Sequence, residues 1–314
     1  MATSALATYQ KYLDPRSLQR TRNLELRARL IVEGFRIGQH RSPYKGSSVE
    51  FAEHRQYATG DETRHVDWKV FGRTDKLYVK QYQAENELRL ILVVDASESM
   101  AFGSHESVDD PGSIWTKFDH ATAIAAVLAY MAIRQGDAVG TAVFDETLTR
   151  FTKPSSAPAA WKQVITELGQ VPKFGGTTIG PALQQVAGKV TGRSVVVVLS
   201  DFFDDVDQIA RGLRMLRARK HEVLALQVMD PQELKFPFED VTMFDGLESA
   251  GELLTEPRAL RDAYLEQVRE HSEALARQCR RMDVDLRTFD TLEPLDVAIS
   301  TFLAERADRL RVGA

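Results

Sequence analysis

The amino-acid sequence predicts an α/β protein with a doubly wound, mostly parallel sheet, helices on both faces, and a small helix-plus-β module in front. Two observations carry this prediction. Short continuous apolar runs alternate with longer helical patterns from residue 88 onward, and such runs are typical of parallel strands buried on both faces. The links between them are short, as in repeated strand–helix units. The composition agrees, since 43% of the 314 residues are hydrophobic and 27% are charged, which leaves enough apolar surface for a sizeable core.

The front of the chain, residues 1–87, is predicted to form the small module. Asp14-Pro15 has the residue types of a helix start, a capping carboxylate followed by proline. The apolar residues that follow recur at helical spacing, and they are Leu24, Ala28, Ile31 and Phe35. Residues 39–87 are polar and rich in arginine and aromatic residues, with short strand-like pieces such as KLYVKQY.

Residues 88–314 are predicted to form the α/β domain. The expected strands are LRLILVVD, AVGTAVFD, TLTRFTK, SVVVVLSD, EVLALQVMD and VDLRTFD, with TLTRFTK as an antiparallel neighbour. Helices are expected at residues 117–136, 161–168, 204–220, 257–281 and 294–310. The segments 103–114 and FGGTTIGPAL are interpreted as loops. Helix 117–136 is apolar nearly all round, which predicts that it is buried.

Three polar loops follow strands or helices of this domain: Asp95-Ala96-Ser97-Glu98-Ser99, Gly175-Gly176-Thr177-Thr178, and Ser200-Asp201. In an open α/β sheet, ligands bind beyond the carboxyl ends of the strands, so we expect these loops to meet there. Mg²⁺ prefers about six oxygen ligands, and alternate residues of an extended turn point the same way. The spacing therefore predicts that Asp95, Ser97 and Ser99 reach one metal ion, whereas the simpler interpretation is a polar turn that closes a buried strand.

Catalysis is expected to be absent. A phosphatase that uses a strand-end Asp as nucleophile needs a second Asp two residues later, where this chain has Ser97. The sequence has no Gly-x-Ser-x-Gly elbow and no Gly-x-x-x-x-Gly-Lys-Ser/Thr loop. The alternative function is a Mg²⁺-dependent, phosphatase-like hydrolase that uses the same site around Asp95.

The three loops resemble the metal-ion-dependent adhesion site of von Willebrand factor A domains, in which Asp-x-Ser-x-Ser is joined by a later Thr and a later Asp. The resemblance implies that Asp95, Ser97, Ser99, Thr177 and Asp201 hold Mg²⁺ or Mn²⁺, with Thr178 as the alternative to Thr177. It also implies that the Thr and Asp201 often act through water. An ion with so few charged ligands is expected to attract an acidic residue of another protein.

The segment before the sheet resembles the hallmark of the domain of unknown function 58 family. The matching residues are Glu50-Phe51, Arg55, Tyr57, Gly60-Asp61, Arg64 and Asp67-Trp68. The resemblance covers about residues 25–310. It implies a von Willebrand A-like partner of a MoxR-type AAA+ ATPase, acting in chaperone-like assembly or maturation of complexes, with the ATPase or its client supplying the acidic residue.

The remaining expectations concern nucleic acid, the membrane and the cellular compartment. The net charge of −5 and the acidic residues interspersed among the front module's Lys and Arg argue against nucleic-acid binding. The apolar runs are too short for a membrane helix, the N-terminus is a poor signal peptide, and a single cysteine, Cys279, fits a reducing compartment. We therefore expect a cytoplasmic protein without an integral membrane segment.

The charged and aromatic residues of the front module are given structural roles. Asp61, Arg64 and Asp67 are interpreted as a structural charge network, and Tyr57 and Trp68 as core or domain-interface residues.

Overall fold

The fold is described from a computed structural model of the chain. It describes residues 25, 28, 29, 31, 32, 51–57, 68–74, 76–82, 88–107, 112–157, 159–170, 172, 174, 176, 178–240, 242–246 and 251–312. The chain divides into two compact units. The larger unit comprises Met1–His40 and Leu88–Ala314, and the smaller one comprises Arg41–Glu87.

The strands and helices are numbered in chain order. The strands are β1 (Phe51–Gln56), β2 (Tyr78–Tyr82), β3 (Arg89–Asp95), β4 (His105–Glu106), β5 (Ile114–Trp115), β6 (Ala138–Phe144), β7 (Leu148–Ser155), β8 (Val195–Ser200), β9 (Glu222–Met229), β10 (Thr242–Gly246), β11 (Gly251–Thr255) and β12 (Asp285–Asp290). The helices are α1 (Trp68–Thr74), α2 (Lys117–Arg134), α3 (Ala160–Gly169), α4 (Ile179–Lys189), α5 (Val206–Ala218), α6 (Pro231–Lys235), α7 (Pro257–Arg281) and α8 (Leu295–Val312).

Six strands of the larger unit form one sheet in the order β12-β9-β8-β3-β6-β7. All neighbouring pairs are parallel except β6 and β7, which are antiparallel. The first strand of this sheet, β3, lies in its middle. The chain adds β6 and β7 on one side of it and then β8, β9 and β12 on the other, as in a doubly wound fold. The predicted α/β fold class, with a doubly wound and mostly parallel sheet, is confirmed, including the antiparallel edge strand.

The sheet has a hydrophobic core on each face, and β3 contributes to both. Leu90, Leu92 and Val94 belong to the core that contains α2, α3 and α8. Ile91 and Val93 belong to the opposite core, which contains α4, α5 and the end of α7. Because successive side chains of a strand point to opposite faces, a strand between two helical layers needs the uninterrupted apolar run that predicted it.

Helix α4 was predicted wrongly as part of a loop. Gly180 and Pro181 argue for a loop when taken singly, but they lie in the first turn of the helix. Proline is tolerated there because the first N–H groups of a helix have no partner within it. The hairpin of β4 and β5 also interrupts the segment interpreted as a polar surface loop, and the short α6 and the hairpin of β10 and β11 were not predicted.

The smaller unit contains the antiparallel pair β1–β2 and helix α1. The pairing continues at Tyr57, whose N–H donates to the Leu77 carbonyl over 2.9 Å. Trp68 is 62% exposed, so it is not a core residue, which was one of the two roles expected for it. Asp61, Arg64 and Asp67, and with them the predicted charge network, lie outside the described residues.

The sequence assigned the start of the chain to the front module, and the boundary at residue 87 stays a prediction. The described residues 25, 28, 29, 31 and 32 belong to the larger unit. Among the described residues there, Ala28 and Val32 are buried in the core that contains α2. The helical spacing that included Ala28 therefore marks a face that packs on the sheet domain. Within the described parts of the chain, no helix is long and apolar enough to cross a membrane.

Candidate functional site

The first and third polar loops meet at the carboxyl ends of β3 and β8. These strands are parallel neighbours, with Val94 opposite Leu199, so the residues that follow emerge side by side. The hydroxyl of Ser200 donates to Asp95 Oδ2 over 2.6 Å. Two segments more than a hundred residues apart are thereby joined by a hydrogen bond inside the protein, at the edge of the sheet where the sequence placed a ligand site.

Asp95 is the centre of this site. Its side chain is fully buried, and Asp95 Oδ1 accepts a hydrogen bond from the Ser97 N–H over 2.9 Å. The hydroxyls of Ser97 and Ser99 lie 3.1 Å apart, within hydrogen-bond distance. Ser97 is buried, and Ser99 is partly exposed at the start of a 3₁₀ turn over Glu98–Ala101. The Asp-x-Ser-x-Ser spacing thus gathers one carboxylate and two hydroxyls, with Ser99 on the side toward solvent.

Asp201 supplies a second buried carboxylate. Its Oδ1 accepts from the Phe203 N–H over 3.1 Å, and the nearby Ser99 hydroxyl helps to lower the pKa of the Asp201 carboxyl. Phe202 lies between them with a φ of +58°, a left-handed conformation that non-glycine residues seldom adopt. The Asp201 carbonyl accepts from Gln227 Nε2 over 3.0 Å, which ties this turn to the neighbouring strand β9.

Lys117, the first residue of α2, completes the site. Its ammonium donates to Asp201 Oδ2 over 2.7 Å and to Glu233 Oε1 over 2.6 Å. The Lys117 and Asp201 side chains are both 0% exposed. The Phe203 ring centroid lies 5.6 Å from Lys117 Nζ, which adds a cation–π contact. A lysine side chain is almost never fully buried unless it is paired, and in this site two carboxylates pair with it.

Glu233 belongs to the short helix α6 that follows β9. Its second oxygen accepts from the Asp230 N–H over 3.0 Å, and the two residues form a capping box. The Asp230 carboxylate in turn accepts from the Ser104 N–H and the Thr291 hydroxyl. Lys117 therefore links the loop after β8 to a helix start that is itself tied to the loops after β3 and β12.

The carboxylates differ in their electrostatics. Burial, together with the neighbouring Asp201 charge, raises the pKa of Asp95 to about 7, although hydrogen bonds from Ser200 and Ser97 oppose the rise. Burial also acts to raise the pKa of Asp201, but the Lys117 ammonium outweighs it and holds that pKa below its usual value. Burial raises the pKa of Glu233, and Lys117 only partly offsets it. Asp201 is thus firmly ionised, whereas the charge of Asp95 lacks a counter-ion among the described residues.

The second polar loop is only partly described. Thr177 lies outside the described residues, so its predicted role stays a prediction. Thr178, the alternative, is exposed, and its hydroxyl donates to the Glu146 carbonyl over 2.5 Å. A Cβ added at Gly176 would lie 2.8 Å from a carboxylate oxygen of Glu146. The described part of this loop therefore packs against the turn between β6 and β7.

The donor set suits a hard divalent cation. Its atoms are carboxylate and hydroxyl oxygens, which Mg²⁺ prefers, and the described residues contain no group of three or more His, Cys, Asp or Glu placed to hold an ion. A metal site at Asp95 would therefore need oxygen ligands other than carboxylates, and the hydroxyls of Ser97 and Ser99 are the nearest described candidates. The observation that fits an ion most directly is the buried Asp95 carboxylate, since a buried charge without a cation is costly.

Sequence reasoning missed Lys117 and Glu233. Lys117 opens a helix whose next residues are largely apolar and buried, and a lysine in that position was a signal that its charge needs a buried partner. Glu233 stands three residues after Asp230 with Pro231 between them, which is the pattern of a capping box. That pattern shows a helix start, but it does not show that the glutamate also reaches Lys117.

A family model matches most of the chain. The family described as "Protein of unknown function DUF58" matches residues 53–274. Uncharacterized proteins of Mycobacterium tuberculosis and Mycobacterium bovis are each 29% identical over 297 residues, which cover 93% of this chain and 90% of theirs. The similarity thus extends over nearly the whole of both chains.

Two solved structures share a distant likeness of fold. The conserved hypothetical protein BatB from Bacteroides thetaiotaomicron is 17% identical, with a TM-score of 0.44, over 70% of this chain and 99% of that one. The VWA domain of SpRpn10 is 12% identical, with a TM-score of 0.37, over 67% of this chain and 91% of that one. Both likenesses are too distant to bear on what this chain binds.

Proposed function

The chain belongs to the DUF58 family, and from this premise we propose that it is a non-catalytic protein-interaction module that holds a partner through a divalent cation at Asp95. The observation that supports this function is the buried Asp95 carboxylate, which in the described part of the chain has no cation beside it. Asp95 is buried beside two hydroxyls, and no cation of the described residues contacts its carboxylate. An ion held by Asp95, Ser97 and Ser99 has unfilled coordination positions, because Mg²⁺ prefers about six oxygen ligands.

In this proposal each residue has a distinct role. Asp95 is the charged ligand of Mg²⁺ or Mn²⁺, and Ser97 and Ser99 are the neutral ligands. Asp201 supports the site through Ser99, and Thr177 is the remaining ligand or water-holding residue. When bound, the ion supplies a Lewis-acidic position that a carboxylate of another protein can fill. Among the described members of the set, Ser99 is partly exposed and Asp95, Ser97 and Asp201 are buried, so the partner is expected to approach from the side of Ser99.

The proposed partner is a MoxR-type AAA+ ATPase or that ATPase's client, which follows from the family resemblance. The function would then be to hold client or ATPase during chaperone-like assembly of a complex, in the cytoplasm. The test is co-purification of the two proteins in Mg²⁺ and in EDTA, with wild type and with Asp95→Ala. The expected result is binding that is lost in EDTA and in the variant.

A matched control separates the site from general loss of charge. Asp262→Ala removes an exposed acidic residue from α7, and it is expected to leave partner binding unchanged. Binding that survives both chelation and Asp95→Ala would refute the bridging function. For the alternative, a metal-dependent hydrolase, the measurement is turnover of generic phosphoesters, and turnover that disappears with Asp95→Ala would favour catalysis over binding.

A further inference from the structure

We propose that Lys117 is a resident counter-cation that keeps the affinity of the Asp95 site for a free divalent ion low, so that tight binding requires a partner's carboxylate. This inference rests on the proposed function and names how its site is regulated. The role is that of a positioning residue, since Lys117 acts on the ion through Asp201. Its consequence is that the ion and the partner bind together.

The first step of the argument is that Lys117 already satisfies Asp201. One oxygen of that carboxylate accepts from the ammonium over 2.7 Å, and the other accepts from the Phe203 N–H over 3.1 Å. The nearby Ser99 hydroxyl helps to lower the pKa of the same carboxyl. A carboxylate so engaged has little charge left to offer an ion, because a cation in direct contact cancels most of its field beyond.

The second step is the charge that remains. Lys117 neutralises one of the two carboxylates, Asp201 and Glu233, that it contacts. Glu233 lies on the far side of the ammonium, at 2.6 Å from Nζ, and its other oxygen is occupied by the Asp230 N–H. Asp95 is therefore the one charged ligand of the ion that no ammonium contacts among the described residues, and the other two ligands are neutral hydroxyls. A partner's carboxylate would supply the second negative charge.

The third step is that the ammonium is fixed by the fold. Lys117 is completely buried, and it lies at the first position of α2 behind a capping box formed by Thr116 and Asp119. A cation at the amino end of a helix is disfavoured by the helix dipole. Asp201, Glu233 and the Phe203 ring must outweigh that cost, so the ammonium is held at this place and does not swing away when an ion arrives.

The test is the affinity of the full chain for Mn²⁺ alone, measured by electron paramagnetic resonance, with Mg²⁺ as competitor. Lys117→Met removes the cation, and Lys117→Met with Glu233→Gln removes it without leaving Glu233 unpaired. In these variants the dissociation constant is expected to fall at least about ten-fold, since a unit charge in contact with a ligand is strongly felt at low dielectric. Lys117→Arg, which keeps the charge, is expected to show no such gain.

The outcomes separate this inference from the proposed function. Circular dichroism shows which variants fold, and the double variant is the decisive one if Lys117→Met alone does not. Weak binding by wild type and tighter binding by the charge-removing variant support the inference. Equal or weaker binding by that variant overturns the inference and leaves the metal-dependent function standing. No Mn²⁺ binding by any folded form, at any concentration used, overturns both.

Discussion

Replacing Asp95 with asparagine is expected to stabilise the metal-free protein at pH 8. Asp95 is fully buried, and its pKa is raised from 3.8 to about 7 by burial and by Asp201. At pH 8 the folded protein must therefore carry a charge that the unfolded chain carries more cheaply in water. Asparagine has nearly the same shape without the charge. The buried Asp95 carboxylate thus lowers the stability of the protein that contains it.

The magnitude follows from the two pKa values. One pKa unit corresponds to about 1.4 kcal/mol, so the ionised carboxylate lowers the free energy of unfolding by about 4 kcal/mol above pH 7. The cost begins near pH 3.8, grows as pH rises, and levels off above about pH 7. Asparagine disturbs the hydrogen bond from Ser200, which is 2.6 Å long, at a cost of about 1 kcal/mol. The net gain is about 3 kcal/mol at pH 8 and less than about 1 kcal/mol at pH 5.

The measurement is urea unfolding of wild type and Asp95→Asn in EDTA, at pH 8 and at pH 5. The difference in the free energy of unfolding is expected to favour the variant at pH 8 and to shrink at pH 5. A variant that is less stable than wild type at pH 8 would refute the reasoning. So would a gain of equal size at both pH values, because a titrating carboxylate cannot produce it.

Three further predictions concern other parts of the larger unit. On α4, Gly180→Ala is expected to lower the free energy of unfolding by about 1–3 kcal/mol, because the new Cβ would lie 2.5 Å from the Gln208 carbonyl oxygen. On the same helix, a Cβ added at Gly188 would have no described atom within 4 Å beyond its chain neighbours and its own helix backbone, so Gly188→Ala is expected to raise the free energy of unfolding by about 0.5–1 kcal/mol. Chemical denaturation measures both variants. If both changed the free energy of unfolding in the same direction, the close packing of Gly180 against Gln208 would be contradicted. Thr116→Ala removes the N-cap of α2, and a loss of about 1 kcal/mol is expected in the same assay, whereas no loss would mean that the cap contributes nothing. Cys279 is buried and its pKa is raised to about 11, mainly by burial, so a thiol reagent at pH 8 is expected to modify it only after unfolding, and rapid labelling of the native protein would contradict this.

The sheet was predictable because its signals are local. Strands such as β3 and β8 are uninterrupted apolar runs, and the bounds predicted for each lie within one or two residues of those in the structure. Helix α4 was not predicted because Gly and Pro are common both in loops and in the first turn of a helix. The packing of Gly180 against the Gln208 backbone favours the helix, but Gln208 is too distant in sequence for a local pattern to show that contact.

The gathering of these polar residues was predictable, and their electrostatics were not. The spacing of Asp95, Ser97 and Ser99 and the position of Asp201 at a strand end were enough to predict that they lie together. In the structure Ser200, next to Asp201, bonds Asp95, and the hydroxyls of Ser97 and Ser99 lie 3.1 Å apart. The role of Lys117 was not predicted, because it depends on the contacts of its ammonium with Asp201 and Glu233, which are distant in sequence. Thr177 stays a prediction.

The contacts around Lys117 also bear on how the protein folds. Lys117 and Asp201 are 84 residues apart in sequence, and Lys117 and Glu233 are 116 apart. Contacts of such long range form slowly, because the loop between them must close first. The pairing of β3 with β8 is of similarly long range, as between Leu90 and Val195, so we expect the ion pairs to form together with that pairing. A rate of burial measured at Lys117 would then report this step, and a chain halted before it would keep these charges in water.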